Sequence, residues 1–374
     1  MNSNRQRIVI GMMDGLGMDY FEKSDMPNLK DMTRNGFFKQ VTGVFPSVTN
    51  VNNVSICCGA WPEEHGITGN SYFDPTTGKA EYMNSADMIQ TDTIFRRAGR
   101  HGVKSALLTS KRKTVELFHQ DTEISIAAED PPPDYVARFG DPGNIYSREI
   151  NYWLWTVAVD LLRNQPDIQL LYVHITDYPM HTWAPAEKES LEHLKRLDEL
   201  LGETRAVAPD AAFFITADHG MNYKKRCWDL TRVCQKAGTP IRFALSPERD
   251  YYVKHHRNFT GCAWAWLNSP EDMAQVTEIF EGLEGVDEVL SRDEAVRRFH
   301  LMPETIGDLT VLGDRDTMFG DLETAPHEDL APTYRAHGSL YEMDLPLVVD
   351  NFDGELPPAE AFQANKDLTR FLYR

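Results

Sequence analysis

The chain has 374 residues, 41% of them hydrophobic, and a formal net charge of −19. That charge argues against nucleic acid or an anionic membrane surface as a partner, and no apolar run approaches the ~20 residues needed to cross a bilayer. The length calls for one large α/β domain with insertions, or for two domains, because single cores tend to split beyond about 250–300 residues.

In chain order, "MNSNRQRIVIG" lacks the apolar segment of a signal peptide and runs into a strand, "RIVIGMMD" (7–14), that ends on Asp14. "MPNLKDMTRNG" follows with helical spacing. "PSVTNVNNVSICCGAWPEEHGITGN" (46–70) puts Thr49 where a polar stretch gives way to an apolar run. A Thr there can cap a helix. It can equally be a nucleophile held at a helix N-terminus, where free N–H groups favour anions. Five cysteines, with no C-x-x-C, give no disulfide framework; Cys57 and Cys58 read as buried thiols, and the setting expected is reduced and cytoplasmic.

"VKSALLTS" (103–110) is the next strand, and the "KRK" after it supplies Lys111 and Lys113, which share a side if the backbone stays extended. "EDPPPD" (129–134) is a loop, 148–165 a buried helix, and 167–177 a strand ending on Asp177. His181 lies four residues further on, so a helical turn there puts both side chains on one face. A helix over 187–208 leads to "AAFFITADHG" (211–220), a strand that stops on Asp218 and His219. This alternation implies an α/β fold, with a mostly parallel central sheet covered by helices on both faces.

From 223 to 332 the pattern changes to "GCAWAWLN", "PEDMAQVTEIFEGL", "VDEVL" and "IGDLTVLG". We expect a small α+β cap inserted there into a core made of residues 1–222 and 333–374. "RAHGSLYEMDLPLVVD" returns to that core and brings His337.

Ligands of open α/β sheets bind beyond the carboxyl ends of the strands. Three expected strands end there on acids: Asp14, Asp177 and Asp218, the last with His219 beside it. Carboxylates and imidazoles without cysteine suit Zn²⁺ or a similar borderline ion. Each residue also has a plainer reading: Asp14 as a turn residue, Asp177 and His181 as a surface ion pair, Lys111 and Lys113 as a solvated basic turn, Asn70 as a turn residue after Gly69. An Asp-His-Gly at a buried strand end is harder to explain that way, because burying charge is costly.

Taken in order, "MMDGLG", "PSVTNVNNVSICCG…HGITGN", "HITDYPMH", "TADHGM" and "RAHGSLYEMDLPL" resemble the alkaline phosphatase superfamily, and within it the phosphonoacetate hydrolases, two-zinc enzymes that cleave a carbon–phosphorus bond. The resemblance runs from about residue 7 to 350. It implies an alkaline phosphatase-like fold holding two Zn²⁺ per chain. Asp177, His181 and His337 would hold one ion; Asp14, Asp218 and His219 the other, with Thr49 as a further ligand and as the nucleophile. Lys111 and Lys113 would bind the substrate carboxylate, and Asn70 a phosphonyl oxygen. From the cap segment "YYVKHHRN", His255 would reach the pocket, although Lys254, His255, His256 and Arg257 also read as a surface basic patch.

The reaction implied converts phosphonoacetate and water to acetate and phosphate through a phosphothreonine. The leaving carbanion spreads its charge onto the carboxylate, where the enzyme must place cations. The partner expected is thus a small anionic phosphonate, with neither nucleic acid nor membrane; the oligomeric state stays open, a homodimer included. Two rivals remain. A phosphodiesterase or nucleotide pyrophosphatase of the same superfamily would share the ligands and Thr49 but offer a nucleoside slot. A non-catalytic phosphonate sensor would be expected to have lost ligands.

Overall fold

The computed structural model describes residues 6–374. Its central sheet has seven strands among the described residues, in the spatial order Phe37–Thr42, Asp344–Asp350, Ala212–Thr216, Ile8–Met12, Ile168–His174, Lys104–Thr109 and Ile124–Ala127. Only Asp344–Asp350 runs against its neighbours; the other pairings are parallel. The architecture is therefore α/β with a mostly parallel sheet, flanked by helices. Ile8–Met12 and Ala212–Thr216 are buried along their whole length, as strands covered on both faces must be, and so read as unbroken apolar runs. Helices Glu149–Asn164 and Lys188–Val207 pack on each other, the first burying Trp153, Leu154 and Trp155.

The register positions the site. Met12 pairs with His174 on one side and with Thr216 on the other, so three adjacent strands end level. The chain then leaves them through Asp14, Asp177 and Asp218. Gly15 turns it sharply after Asp14 at φ +78°, where a Cβ would press on Asp177 Cβ at 3.1 Å.

Within 223–332 lies a second sheet, Phe243–Leu245, Cys262–Trp266, Leu309–Gly313 and Val286–Ser291, antiparallel throughout. A three-stranded sheet stands beside it in sequence: Thr317–Phe319, Arg226–Trp228 and His327–Asp329. Asn222–Tyr223 pairs with Arg335–Ala336, so the chain enters and leaves this region side by side. Phe45 and Phe73 join the apolar cluster of Trp264 and Trp266, which seats the region on the rest of the chain.

Two local readings need correction. The tripeptide Lys111–Lys113 is not extended: Lys111 precedes a helix, Arg112–Phe118, and Lys113 lies in its first turn. "EDPPPD" is loop only as far as Pro132, because Pro133 opens the helix Pro133–Phe139, a position where a missing N–H costs nothing.

Candidate active site

Thr49 is the first residue of the helix Thr49–Cys58, behind an extended Val48 at the N-cap, which offers no side-chain cap. The turn before it is fixed by Asn52, whose Oδ1 accepts from the Val44 N–H at 2.7 Å while Nδ2 donates to the Val44 carbonyl at 2.9 Å. Every residue of this helix is buried. The Thr49 hydroxyl thus stands at a helix start, 3.5 Å from His219 Nε2.

Around it the strand-end residues converge. Asp14, Asp218 and His219 present ligand atoms within 4.8 Å of one another, as do Asp177, His219 and His337, and Asp177, His181 and His255. Asp177 is the hub of the second and third groups. Its Oδ2 lies 2.9 Å from His181 Nε2 and 3.6 Å from His337 Nε2, and its Oδ1 lies 3.7 Å from His255 Nε2. The D-x-x-x-H spacing meets because Asp177 precedes the short helix Tyr178–Thr182. His255 arrives from the helix Val253–His256.

These residues fit a metal by three independent signs. His181, His219 and His337 each point Nδ1 at a backbone carbonyl, of Arg335 (2.7 Å), Gly220 (3.0 Å) and Ser47 (2.8 Å). A carbonyl only accepts, so Nδ1 carries the hydrogen and each Nε2 turns a bare lone pair inward, the arrangement of metal-ligating histidines. Next, Asp14 Oδ1, both Asp177 oxygens, Asp218 Oδ2 and His181 Nε2 are buried without a hydrogen-bond partner among the described residues; buried polar atoms of this kind call for an ion or water. Finally, the acids repel one another. Burial, and then the neighbouring Asp177 and Asp218, push Asp14 up to about 6. Burial, with Asp177 again contributing, does the same to Asp218. Burial raises Asp177 too, while the Lys111 ammonium beside it pulls the other way. Burial keeps His219 and His337 neutral, the form that binds metal.

Lys111 is part of this electrostatic balance. Its ammonium donates to Asp14 Oδ2 at 3.0 Å and lies 3.8 Å from Asp177 Oδ1. Lys113 is paired instead with Asp250, and Asn70 donates to Glu248 Oε1 at 3.1 Å. All four line one narrow pocket with Thr49 and His255. The other basic residues of "YYVKHHRN" part ways: His256 lines the same pocket, Lys254 lies over the Tyr146 ring, and Arg257 pairs with Glu328.

Three buried residues escaped the sequence reading. His174, at the end of its strand, sets Asp14: Tyr172 Oη donates to Asn53 Oδ1 (2.6 Å), Asn53 Nδ2 faces His174 Nδ1 (3.2 Å), and His174 Nε2 faces Asp14 Oδ2 (3.4 Å). Its place in "YVHITD", two residues before the apolar run breaks, was the available signal. Glu248 and Asp250 lie in a coil segment that carries no motif.

A mostly parallel sheet of this order, with acids and histidines at its carboxyl edge, is the alkaline phosphatase-like fold. The profile of the type I phosphodiesterase / nucleotide pyrophosphatase family matches residues 8–340, and the chain belongs to that family. Its structure resembles that of the phosphonoacetate hydrolase of Sinorhizobium meliloti 1021, solved in complexes with phosphonoacetate and with phosphonoformate, at TM-score 0.86 and 28% identity over 97% of this chain and 94% of that one. Murine ectonucleotide pyrophosphatase / phosphodiesterase 5, at TM-score 0.69 and 18% identity over 97% of this chain and 93% of that one, shares the fold. By sequence the chain is 26% identical over 241 residues to a bis(5'-adenosyl)-triphosphatase of Mus musculus, spanning 61% of this chain and 50% of that protein. It is 25% identical over 227 residues to an uncharacterised pyrophosphatase/phosphodiesterase of Schizosaccharomyces pombe, spanning 59% and 46%. The chain therefore matches about half the length of these curated relatives.

Proposed function

We propose that the chain is a zinc-dependent phosphonoacetate hydrolase, with residues 223–332 acting as a cap over its pocket. The observation that carries this reading is the full-length likeness to a phosphonoacetate hydrolase, joined to a pocket that holds Thr49, Asn70, Lys111 and Lys113 together. Asp177, His181 and His337 would hold one Zn²⁺, and Asp14, Asp218, His219 and Thr49 the other. Such ions would balance the three carboxylates, lower the pKa of the Thr49 hydroxyl and offset charge on the phosphoryl oxygens.

The chain's own residues supply the rest. Thr49, ionised, attacks phosphorus and takes the phosphoryl group. Asn70 donates its amide to a phosphonyl oxygen. With Asp14 and Asp177 engaged by cations, Lys111 has its ammonium free for the substrate carboxylate, whose charge grows as the carbon–phosphorus bond breaks. His255 closes the pocket from the cap side. Water then attacks the phosphothreonine; each half inverts, so the configuration at phosphorus is retained overall.

The test is product analysis. Purified, zinc-loaded protein should release acetate and phosphate from phosphonoacetate in equal amounts, stop on EDTA treatment and recover with Zn²⁺. The family and the curated relatives favour a second reading, a phosphodiesterase or nucleotide pyrophosphatase. A clear preference for bis(p-nitrophenyl) phosphate over phosphonoacetate would establish that reading in place of the first.

A further inference from the structure

Glu248 is an acid in the pocket that no lysine or arginine among the described residues pairs with directly. It lies in the coil after Phe243–Leu245, is 5% exposed, and lines the pocket with Thr49 and Lys111. Its Oε1 accepts from Asn70 Nδ2 at 3.1 Å, and the backbone carbonyl also accepts from that amide at 3.3 Å. His256 Nε2 lies 3.9 Å from Oε1. The Asn258 N–H donates to His256 Nδ1, so the hydrogen of that neutral ring sits on Nε2, on the Oε1 side but beyond hydrogen-bond reach. Oε2 has no partner among the described residues. The nearby cation, Lys113, is already taken by Asp250. Burial, with Asp177 and Asp250 adding to it and Lys111 and Lys113 opposing, holds the carboxyl well above the usual range. The Asn70 amide donates to Oε1 and the His256 N–H lies on that same side, so the proton of the neutral acid belongs on Oε2, where the described residues offer it no acceptor.

We propose that Glu248 is the general acid that delivers a proton to the leaving group. The assignment rests on the hydrolase reading above. In the first half-reaction the Thr49 oxygen bonds to phosphorus and the phosphorus–carbon bond breaks, its electron pair passing to the CH₂COO fragment. The Oε2 proton joins that carbon to give acetate, and Glu248 is left as a carboxylate. In the second half-reaction water attacks the phosphothreonine; one of its protons leaves on phosphate and the other returns to Glu248, while Thr49 is released ionised. Charge and protons balance over the cycle, and no outside acid or base is needed.

Glu248→Gln tests this with the geometry preserved, because Gln keeps the acceptor for Asn70 and loses only the transferable proton. First-turnover rates of the zinc-loaded enzyme are measured on phosphonoacetate, whose leaving carbon needs a proton, and on a series of aryl methylphosphonate esters from p-nitrophenyl to phenyl. Positioned acids contribute about 10²–10⁴-fold. The variant should lose about 100-fold or more on phosphonoacetate, at least tenfold less on the p-nitrophenyl ester, and should depend more steeply on leaving-group pKa than the wild type. Equal losses on all substrates, or none on phosphonoacetate, overturn the assignment. If the wild type cleaves the esters but not phosphonoacetate, the substrate reading fails while the ester series still decides on Glu248. If it cleaves neither, both fall.

Discussion

Asp218→Asn should stabilise the metal-free chain while disabling the site. Asp218 is fully buried; Oδ1 accepts from the Gly15 and His219 N–H groups at 3.0 and 2.9 Å, and Oδ2 has no partner among the described residues. Burial first, and the Asp177 charge after it, raise its carboxyl from 3.8 to about 6. Because the folded pKa exceeds the unfolded one, the folded chain keeps a proton that the unfolded chain loses between those values. Stability therefore falls as pH rises through that window, and the cost is complete above about pH 6. A shift of two units at about 1.36 kcal/mol each is a cost of about 3 kcal/mol at the most. Asn keeps the Oδ1 acceptor and carries no charge. In EDTA at pH 7.5 the variant should then unfold at higher urea than the wild type by up to this amount, and by steadily less toward pH 4.5. With Zn²⁺ present the order should reverse, because the variant lacks an anionic ligand. A variant less stable than wild type in EDTA at pH 7.5, or a difference that does not shrink with falling pH, would refute the claim that this carboxylate is held against its own electrostatics.

Thr49→Ala should abolish turnover while metal analysis still finds zinc near the wild-type content, since among the described residues the hydroxyl's one hydrogen-bonding neighbour is His219 at 3.5 Å; unchanged phosphate release would remove Thr49 from the mechanism. Lys113→Met leaves Asp250 buried and unpaired, so urea unfolding should show a loss of about 3–5 kcal/mol. Adding Asp250→Asn should recover most of that stability without restoring the phosphonoacetate KM, whereas full kinetic recovery would show that Lys113 only neutralises Asp250. Lys224→Met should cost a similar amount, about 3–5 kcal/mol by urea denaturation: the ammonium is fully buried, 2.9 Å from Glu342 Oε1 and 3.0 Å from the Arg315 carbonyl. Lys224→Met combined with Glu342→Gln should recover part of it.

What the sequence made legible follows from physical scale. A buried parallel strand is a run of apolar residues, so the acids that end such runs stand out, and Asp14, Asp177, Asp218 and His219 could be read from a few neighbours each. Asp177 and His181 needed only one helical turn. The edge strand Phe37–Thr42 escaped because its burial alternates with exposed positions and its pattern carries charge. Lys111 and Lys113 were readable as basic residues near the pocket but not in their pairings, because their partners, Asp14 and Asp250, lie 97 and 137 residues away. His174 finds its neighbours Thr109 and Thr114 only once two strands have paired in register. Glu248 and Asp250 lie outside helix and strand, and their position depends on how Phe45 and Phe73 pack against Leu245, Trp264 and Trp266.

That packing bears on which substrate the pocket can accept. A chain with net charge −19 repels a small anion at a distance, so attraction has to be built locally. Without bound ions the strand-end acids outnumber the cation beside them, Lys111, and a phosphonate would be repelled there as well. Two divalent ions would turn the balance positive, and this is why loss of metal should abolish substrate binding as well as chemistry. On the side of the pocket formed by residues 248–256, Asp250 cancels Lys113, and Glu248 adds no charge while it keeps its proton. The pocket then presents a strongly positive floor under a nearly neutral roof. Such a shape favours a substrate whose charge is concentrated on the phosphoryl group and one short arm, within reach of both the floor and Lys111. A long diester must instead place its second ester group against the roof, where Tyr252 and His256 are the surfaces on offer. Asp250→Asn therefore acts on selectivity in a defined direction: by freeing Lys113 it should lower the KM for phosphonoacetate and leave that for bis(p-nitrophenyl) phosphate little changed. A shift in the opposite direction would mean that the roof reads the leaving group by something other than charge.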